Sequence, residues 1–338
     1  MLEKFNLSKG AATYMKCWQV KEGTNVLIVT DTTDMIHIGE VFAREAQAAG
    51  AEVTLAIISP RKNDGVQAPP IIQAAAKGSD VLMTLAKHVM HVRERGGSGT
   101  APISEGRAER IGEFNTTFAD LREIYKRNCK IIEFMKDKDV VRVTSADGID
   151  LTVSVKGRKW MNNLHYCVSP LFKKEGWSTE WGKDFKFPDL LGYSEATCAP
   201  VPGSANGTYV VNDWMSGCGN VLLNELIKWK IKNGRVLEIT GGRQAKKLKQ
   251  LIQMRDENAV NIGEFAFGTN HVIKDPRGDH ADKVIIGGMH LGLGTTLGFG
   301  SELGTGGVES EIHCDGVSLG INVVADGQAL MKDGKFLI

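Results

Sequence analysis

The pair Asn233-Gly234 constrains this chain most. Before it, Leu226-Ile227-Lys228-Trp229-Lys230-Ile231 alternates apolar and charged residues, and after it Val236-Leu237-Glu238-Ile239 resumes an apolar pattern. Asn and Gly both tolerate positive φ, which the tight turn of a two-residue hairpin requires, so the segment predicts an antiparallel β-hairpin. The same logic applies to Val140–Thr144, the Asp147-Gly148 turn and Ile149–Val155, and Asp326-Gly327 and Asp333-Gly334 add turns near the C-terminus. Gln244–Met254 reads as an amphipathic helix with Lys246, Lys247 and Lys249 on a solvated face. Residues 139–338 are therefore expected to form a mixed α+β, β-rich domain.

The first part of the chain follows a different rule. Asn25–Thr30 is a β-branched, apolar run, Ile38–Ala49 has helical spacing closed by Gly50, and Val53–Ile58 is strand-like again. Ile71–Ala76 then reads as a helix and Asp80–Leu85 as a third strand. This β-α-β-α-β alternation predicts a Rossmann-like α/β domain over residues 1–138, with the boundary at Lys136-Asp137-Lys138-Asp139. The first strand runs into Thr30-Asp31-Thr32-Thr33-Asp34 with no glycine before Gly39. A phosphate-binding turn for a dinucleotide is thus missing. His88, His91, Arg93 and Arg95 follow the third strand, where α/β ligands often bind, although a solvated loop is the simpler reading. Phe118–Arg127 reads as a helix, and the aromatic stretch with Trp160, Tyr166, Trp177, Trp181 and Phe187 reads as core packing or the cover of a cleft.

Charge and composition narrow the function classes. The 41 basic and 40 acidic residues nearly cancel, which gives no electrostatic argument for nucleic acid or an anionic membrane. No apolar run approaches the roughly 20 residues of a membrane span, and Met1-Leu2-Glu3-Lys4-Phe5 lacks a signal peptide's apolar core, so a cytoplasmic protein is expected. The six cysteines are scattered without a CxxC pair, which argues against a zinc knuckle or disulfide framework. Glycine is concentrated instead: nine of the 21 positions from Gly287 to Gly307 are Gly, so this segment needs unusual backbone angles or close approach.

That glycine-rich stretch lies between the residues best suited to bind a metal. If Glu311–Val317 is a strand, His313 and Asp315 project from one face and Cys314 from the other. An H-x-D pair alone is more often an ordinary histidine beside an acid than a metal site. Glu264 stands between Gly263 and Phe265, and His290 between Met289 and Leu291. A charged group among small and apolar neighbours is costly unless paired, and a metal ion is one way to pair it. A salt bridge or a buried hydrogen-bonded imidazole is another.

Ile262-Gly263-Glu264-Phe265-Ala266-Phe267-Gly268-Thr269-Asn270 resembles a segment of the aminopeptidase T family, the thermophilic-type dinuclear metalloaminopeptidases. His290-Leu291-Gly292-Leu293-Gly294 is similar to its next motif, His313-Cys314-Asp315 to its closing H-x-D, and Glu195-Ala196-Thr197-Cys198-Ala199-Pro200 to its upstream Glu-x-x-x-Ala-Pro stretch. The resemblance spans about residues 190–320. It implies Glu195, Glu264, His290, His313 and Asp315 as ligands of two divalent metal ions, zinc, cobalt or manganese. It also implies amide hydrolysis by a metal-activated water, with Glu264 a candidate to take the water's proton, a small peptide or small amide as substrate, and a homodimer. The site is expected to face a cleft toward the first domain. Where the family has a tyrosine that assists catalysis, this chain has Leu297; His271, His280 and Tyr209 are candidates to stand in.

The C-terminal half more distantly resembles 2,5-dihydroxypyridine 5,6-dioxygenase, which holds one Fe(II) with two histidines and an aspartate. There the second pair is again an H-x-D, but the other iron-binding histidine falls on Asn261. The alternative expectation is thus a mononuclear Fe(II) ring-cleaving dioxygenase, or a dinuclear hydrolase of a non-peptide amide or ring.

Overall fold

The computed structural model describes residues 2–17, 20–33, 36–61, 66–86, 90–92, 97–98, 118–162, 194–219, 222–297 and 306–338. His88, Arg93, Arg95, Tyr166, Trp177, Trp181, Phe187 and the side chain of His91 lie outside them. The architecture is mixed α/β, rich in sheets and sparing in helices. Among the described residues no helix is long and apolar enough to cross a membrane.

Two compact units divide the chain, the first holding the described residues as far as Ala119 and the second Asp120–Asn163 with Ser194–Ile338. In the first unit, helix α1 (Leu2–Cys17) precedes strand β1 (Asn25–Asp31), α2 (Ile36–Ala48) and β2 (Glu52–Ile58), and then come β3 (Val66–Gln67), α3 (Pro70–Gly78), β4 (Val81–Leu85), β5 (Met90–Val92) and β6 (Gly97–Ser98). β1, β2 and β4 form a parallel sheet in the order β2-β1-β4. β1 takes the centre because Val26–Val29 are buried, which an all-apolar run between two strands requires. This is the alternation expected from the sequence, with helix α1 in addition. Leu7, Ala11, Tyr14 and Met15 of α1 are buried, and Tyr14 packs edge-on against Phe42 of α2.

Helix α4 (Phe118–Met135), which belongs to the second unit from Asp120 on, is eight residues longer than the sequence pattern suggests because Ile131 and Met135 extend its apolar stripe into the core. A division at Lys138 therefore would separate this helix from the core it packs on. β7 (Val140–Ser145) and β8 (Asp150–Ser154) form the first hairpin, and β9 (Met161–Asn162), β10 (Glu195–Cys198) and β11 (Asn206–Val211) follow. β12 (Ile227–Lys232) and β13 (Arg235–Thr240) are the Asn-Gly hairpin, with Asn233 at φ 50° and Gly234 at φ 71°, both positive as that turn demands. α5 (Arg243–Gln253) leads to β14 (Ile262–Gly268), β15 (Met289–Gly294) and β16 (His313–Ser318), and β17 (Ile321–Ala325), β18 (Gln328–Lys332) and β19 (Lys335–Phe336) complete the chain.

These strands form two sheets. One has eight strands in the order β13-β12-β11-β8-β7-β17-β18-β19, built largely from the hairpins; the other has five in the order β16-β15-β14-β10-β9. They share one apolar core, to which the first contributes Val143, Leu151, Tyr209 and Trp229 and the second Phe265, Phe267, Leu291 and Cys314. Trp160 stacks on Phe267 and meets Phe265 edge-on, a packing role rather than a cleft cover. Gly316 marks a close approach of the sheets, because a Cβ there would stand 2.8 Å from Trp229 and 2.7 Å from Val211.

Candidate metal centre

The five-stranded sheet has one apolar face and one polar face, a direct result of the period-two alternation of strands. Phe265, Phe267, Leu291 and Cys314 enter the core, so Cys314 is buried as its place between His313 and Asp315 required. On the other face, register aligns Glu264 with Gly292 and Gly292 with Asp315. His290 lies two residues from Gly292 along β15, and Glu195 enters from β10 opposite Gly268. All five residues singled out by sequence thus meet on one sheet face. Glu195, Glu264, His290 and Asp315 are buried, and His313 is partly exposed.

Their ligand atoms form two overlapping groups. In one, His313 Nε2 lies 3.0 Å from Glu264 Oε2 and 2.9 Å from Asp315 Oδ1. In the other, His290 Nε2 lies 3.5 Å from Glu195 Oε2 and 3.6 Å from Glu264 Oε2. Each trio falls within 4.8 Å, and Glu264 belongs to both. With metal–ligand bonds of about 2.1 Å, two ligand atoms are separated by about 3.0 Å at right angles and about 3.4 Å at the tetrahedral angle. The first group has the shorter edges and the second the longer, so both donor sets fit a divalent ion. Glu264 Oε2, His290 Nε2 and Asp315 Oδ1 are buried and make no well-directed hydrogen bond, which leaves their lone pairs available to such an ion.

The surroundings fix these donors. Thr197 Oγ1 donates to Glu264 Oε1 at 2.6 Å and so leaves Oε2 for the imidazoles. His290 Nδ1 meets the carbonyl oxygen of Lys283 at 3.2 Å, the arrangement that turns Nε2 toward the carboxylates. Gly292 provides the space between strands: a Cβ there would lie 2.6 Å from His313 Cε1, 2.8 Å from Glu264 Cβ and 3.2 Å from Asp315 Oδ1. Any side chain at this position would fill the centre.

Charge coupling among these groups is strong in the metal-free protein. Burial opposes ionisation of Glu264, but His290 and His313 outweigh it and hold the carboxyl at about 2. Burial likewise opposes the His313 imidazolium, yet Asp315 and Glu264 raise it to about 10. His290 is also raised, by Glu264 against burial. Asp315 is held well below the usual carboxylate range in spite of burial, by Lys283 first and His313 next.

Lys283 is the member that sequence reasoning missed. Its side chain is 4% exposed, and its Nζ donates to Asp315 Oδ2 at 3.1 Å and lies 3.7 Å from Glu195 Oε2. The sequence signal was weak, since Asp282-Lys283-Val284 resembles any surface turn. Thr197 and Gly292 lie within the motifs, where residue type alone assigns them no role. Of the residues considered to replace the family tyrosine, Tyr209 Oη donates to Gly316 O at 2.9 Å, His271 lies between Glu123 and Arg127, and His280 stacks on Trp214. Leu297 is half-buried, and its backbone N–H donates to Thr295 Oγ1. Asn261 is buried, with Nδ2 donating to Gly294 O at 3.0 Å.

A family profile of 2,5-dihydroxypyridine 5,6-dioxygenase matches residues 7–337. The chain belongs to this family. The structure is similar to that of 2,5-dihydroxypyridine dioxygenase from Pseudomonas putida KT2440, with TM-score 0.72 and 16% identity over 98% of this chain and 96% of that one. It is also similar to AmpT from Thermus thermophilus, with TM-score 0.65 and 17% identity over 99% of this chain and all 100% of the other. No curated protein matches the sequence. Both resemblances noted in the sequence are therefore found again: the family is one of enzymes, and its fold is shared with an aminopeptidase T.

Proposed function

We propose that this chain is a metal-dependent hydrolase of small amides, aminopeptidase-like in its chemistry. The observation that carries the reading is Glu264, a buried carboxylate whose Oε2 faces both His290 and His313. Glu195, Glu264, His290, His313 and Asp315 are the residues that would hold zinc, cobalt or manganese, a carboxylate-rich set suited to those ions. A divalent ion bound there lowers the pKa of water and polarises a carbonyl. Glu264, kept ionised by the imidazoles, binds through Oε2 or accepts a proton there, while Thr197 prevents its rotation. His290, oriented by the Lys283 carbonyl, presents Nε2 to the same space. A small peptide or other small amide as substrate, a homodimer and a cytoplasmic location complete the proposal.

The second reading is an Fe(II) ring-cleaving dioxygenase, and family membership favours it. Against it stands Asn261, which occupies the place of one iron-binding histidine in that resemblance and has its amide committed to Gly294 O. Activity on aminoacyl anilides and small cyclic amides, measured without oxygen after loading with zinc, cobalt or manganese, separates the two. Anaerobic hydrolysis supports the first reading. Oxygen uptake with a dihydroxypyridine in the Fe(II)-loaded protein, without anaerobic turnover, overturns it.

A further inference from the structure

We infer that Gly263 and Asn261 are positioning residues of the candidate centre: they hold a β-bulge that turns Glu264 away from the apolar core and onto the face that carries the histidines. Their role rests on the reading above that this cluster binds a divalent ion.

Ile262, Phe265 and Phe267 all enter the core. Phe265 and Phe267 are two residues apart, as strand alternation requires, but Ile262 and Phe265 are three apart, which no regular strand allows. The pairing of β14 with β15 locates the change of phase. Ile262 pairs with Leu293 and Glu264 with Gly292, so two steps along β14 match one along β15, and Gly263 is the extra residue. Beyond it, the pairs Phe265–Leu291 and Phe267–Met289 face the core, while Glu264–Gly292 and Ala266–His290 take the other face. Continued in the phase of Ile262, β14 would instead send Glu264 into the core and bring both phenylalanines out. A change of register by one residue exchanges the faces of every later side chain, and a bulge beside a site is a means of re-aiming one.

Neighbouring segments hold the bulge in place. Asn261 is buried; its Nδ2 donates to Gly294 O at 3.0 Å, and its carbonyl oxygen accepts from Gly294 N at 2.8 Å, which fastens β14 to β15 just before the extra residue. Ile262 N donates to Gly234 O at 2.9 Å, so the turn of the Asn-Gly hairpin anchors the same end of the strand. At Gly263 the requirement is space. A Cβ there would stand 2.3 Å from Thr295 O and 2.8 Å from Gly294 O. Thr295 is tied on its other side, its N–H donating to Ile312 O and its Oγ1 to Val308 O, so it does not retreat freely. A methyl group at position 263 therefore expels the extra residue from between the strands, and Glu264 loses its direction. His313 and Asp315 take theirs from β16 and keep it.

The test is a double-mutant cycle between Gly263→Ala and Glu264→Gln, read as the Co²⁺ affinity of chelator-stripped full-length protein in a visible-absorption titration. Glu264→Gln alone is expected to weaken Co²⁺ binding by about 100-fold, and Gly263→Ala by nearly as much. Combined with Gly263→Ala, Glu264→Gln costs less than about threefold more, since the carboxylate has already left the ion. Asn261→Ala is expected to lose about 10-fold by itself and to add little to Glu264→Gln, which keeps the cycle readable if Gly263→Ala does not fold. Residues that only stabilised the strand would give losses that add. Additive losses in a cycle whose variants fold, or full affinity in a folded Gly263→Ala, would overturn the positioning role and leave the metal centre standing. No Co²⁺ binding by the wild type would instead remove the metal reading itself, and the positioning role with it.

Discussion

The two sheets of the second unit share a core yet follow opposite rules. The eight-stranded sheet is built from hairpins whose buried residues are mainly apolar, such as Val143, Leu151, Ile227 and Val323. The five-stranded sheet buries Glu195, Glu264, His290 and Asp315 on one face and phenylalanines and leucines on the other. Both alternate with period two. The difference is that the second sheet's polar face is not given to water, so its charges are compensated by one another, by Lys283 and by whatever ion they bind. Both sheets thus supply the apolar core while the chemistry is confined to one face of one of them, and a fold can carry a costly polar cluster where the opposite face of the same sheet is packed on an apolar neighbour.

The sharpest way to break this division is to damage each sheet in turn. His313→Ala is expected to reduce metal affinity, and with it the proposed amide hydrolysis, by about 100-fold or more while leaving the circular dichroism of the protein unchanged. Leu151→Ala, at a fully buried position of β8, is expected to cost about 2–5 kcal/mol in denaturant unfolding with unaltered metal stoichiometry. If Leu151→Ala loses the ion, or His313→Ala unfolds, the two sheets are not separable in this way.

A smaller effect is expected from Gly292→Ala. The new methyl group would crowd His313 Cε1 and Glu264 Cβ, so metal affinity should fall by about 10-fold or more with little change in stability. Unchanged affinity in a metal titration would mean that the strands yield and that the space between them is not a requirement.

The smallest effect concerns pH. In the chelated protein the raised His313 contributes stability that is complete below its unfolded value of about 6.5 and is lost as pH rises through about 10. The melting temperature without metal should therefore decline between pH 7 and 10. The metal-loaded protein needs His313 neutral, so metal affinity should increase over the same interval. Parallel profiles with and without chelator would show that His313 does not exchange a proton for a metal ion.

Much of this was legible in local sequence. The Asn233-Gly234 hairpin, the β1-α2-β2 alternation and the shared face of His313 and Asp315 depend only on turn chemistry and strand period, and the structure has each of them. Helix α1 was harder to see because its sequence has little amphipathic contrast; contact with α2 orders it. The length of α4 depended on which core Ile131 and Met135 join, a long-range matter.

By itself, then, the sequence determined the hairpins and the β1-α2-β2 alternation and singled out Glu264, His290, His313 and Asp315, because these are written in residue type and spacing, while Glu195 joined them only through the family resemblance. Only the tertiary structure decided that Glu264 faces both histidines, that Gly292 is the space between them, and that Lys283 lies among the carboxylates. The physical reason is register and loop path. Glu264, Gly292 and Asp315 become neighbours through cross-strand pairing, and a capped turn far from all three in pattern carries a buried ammonium into their midst.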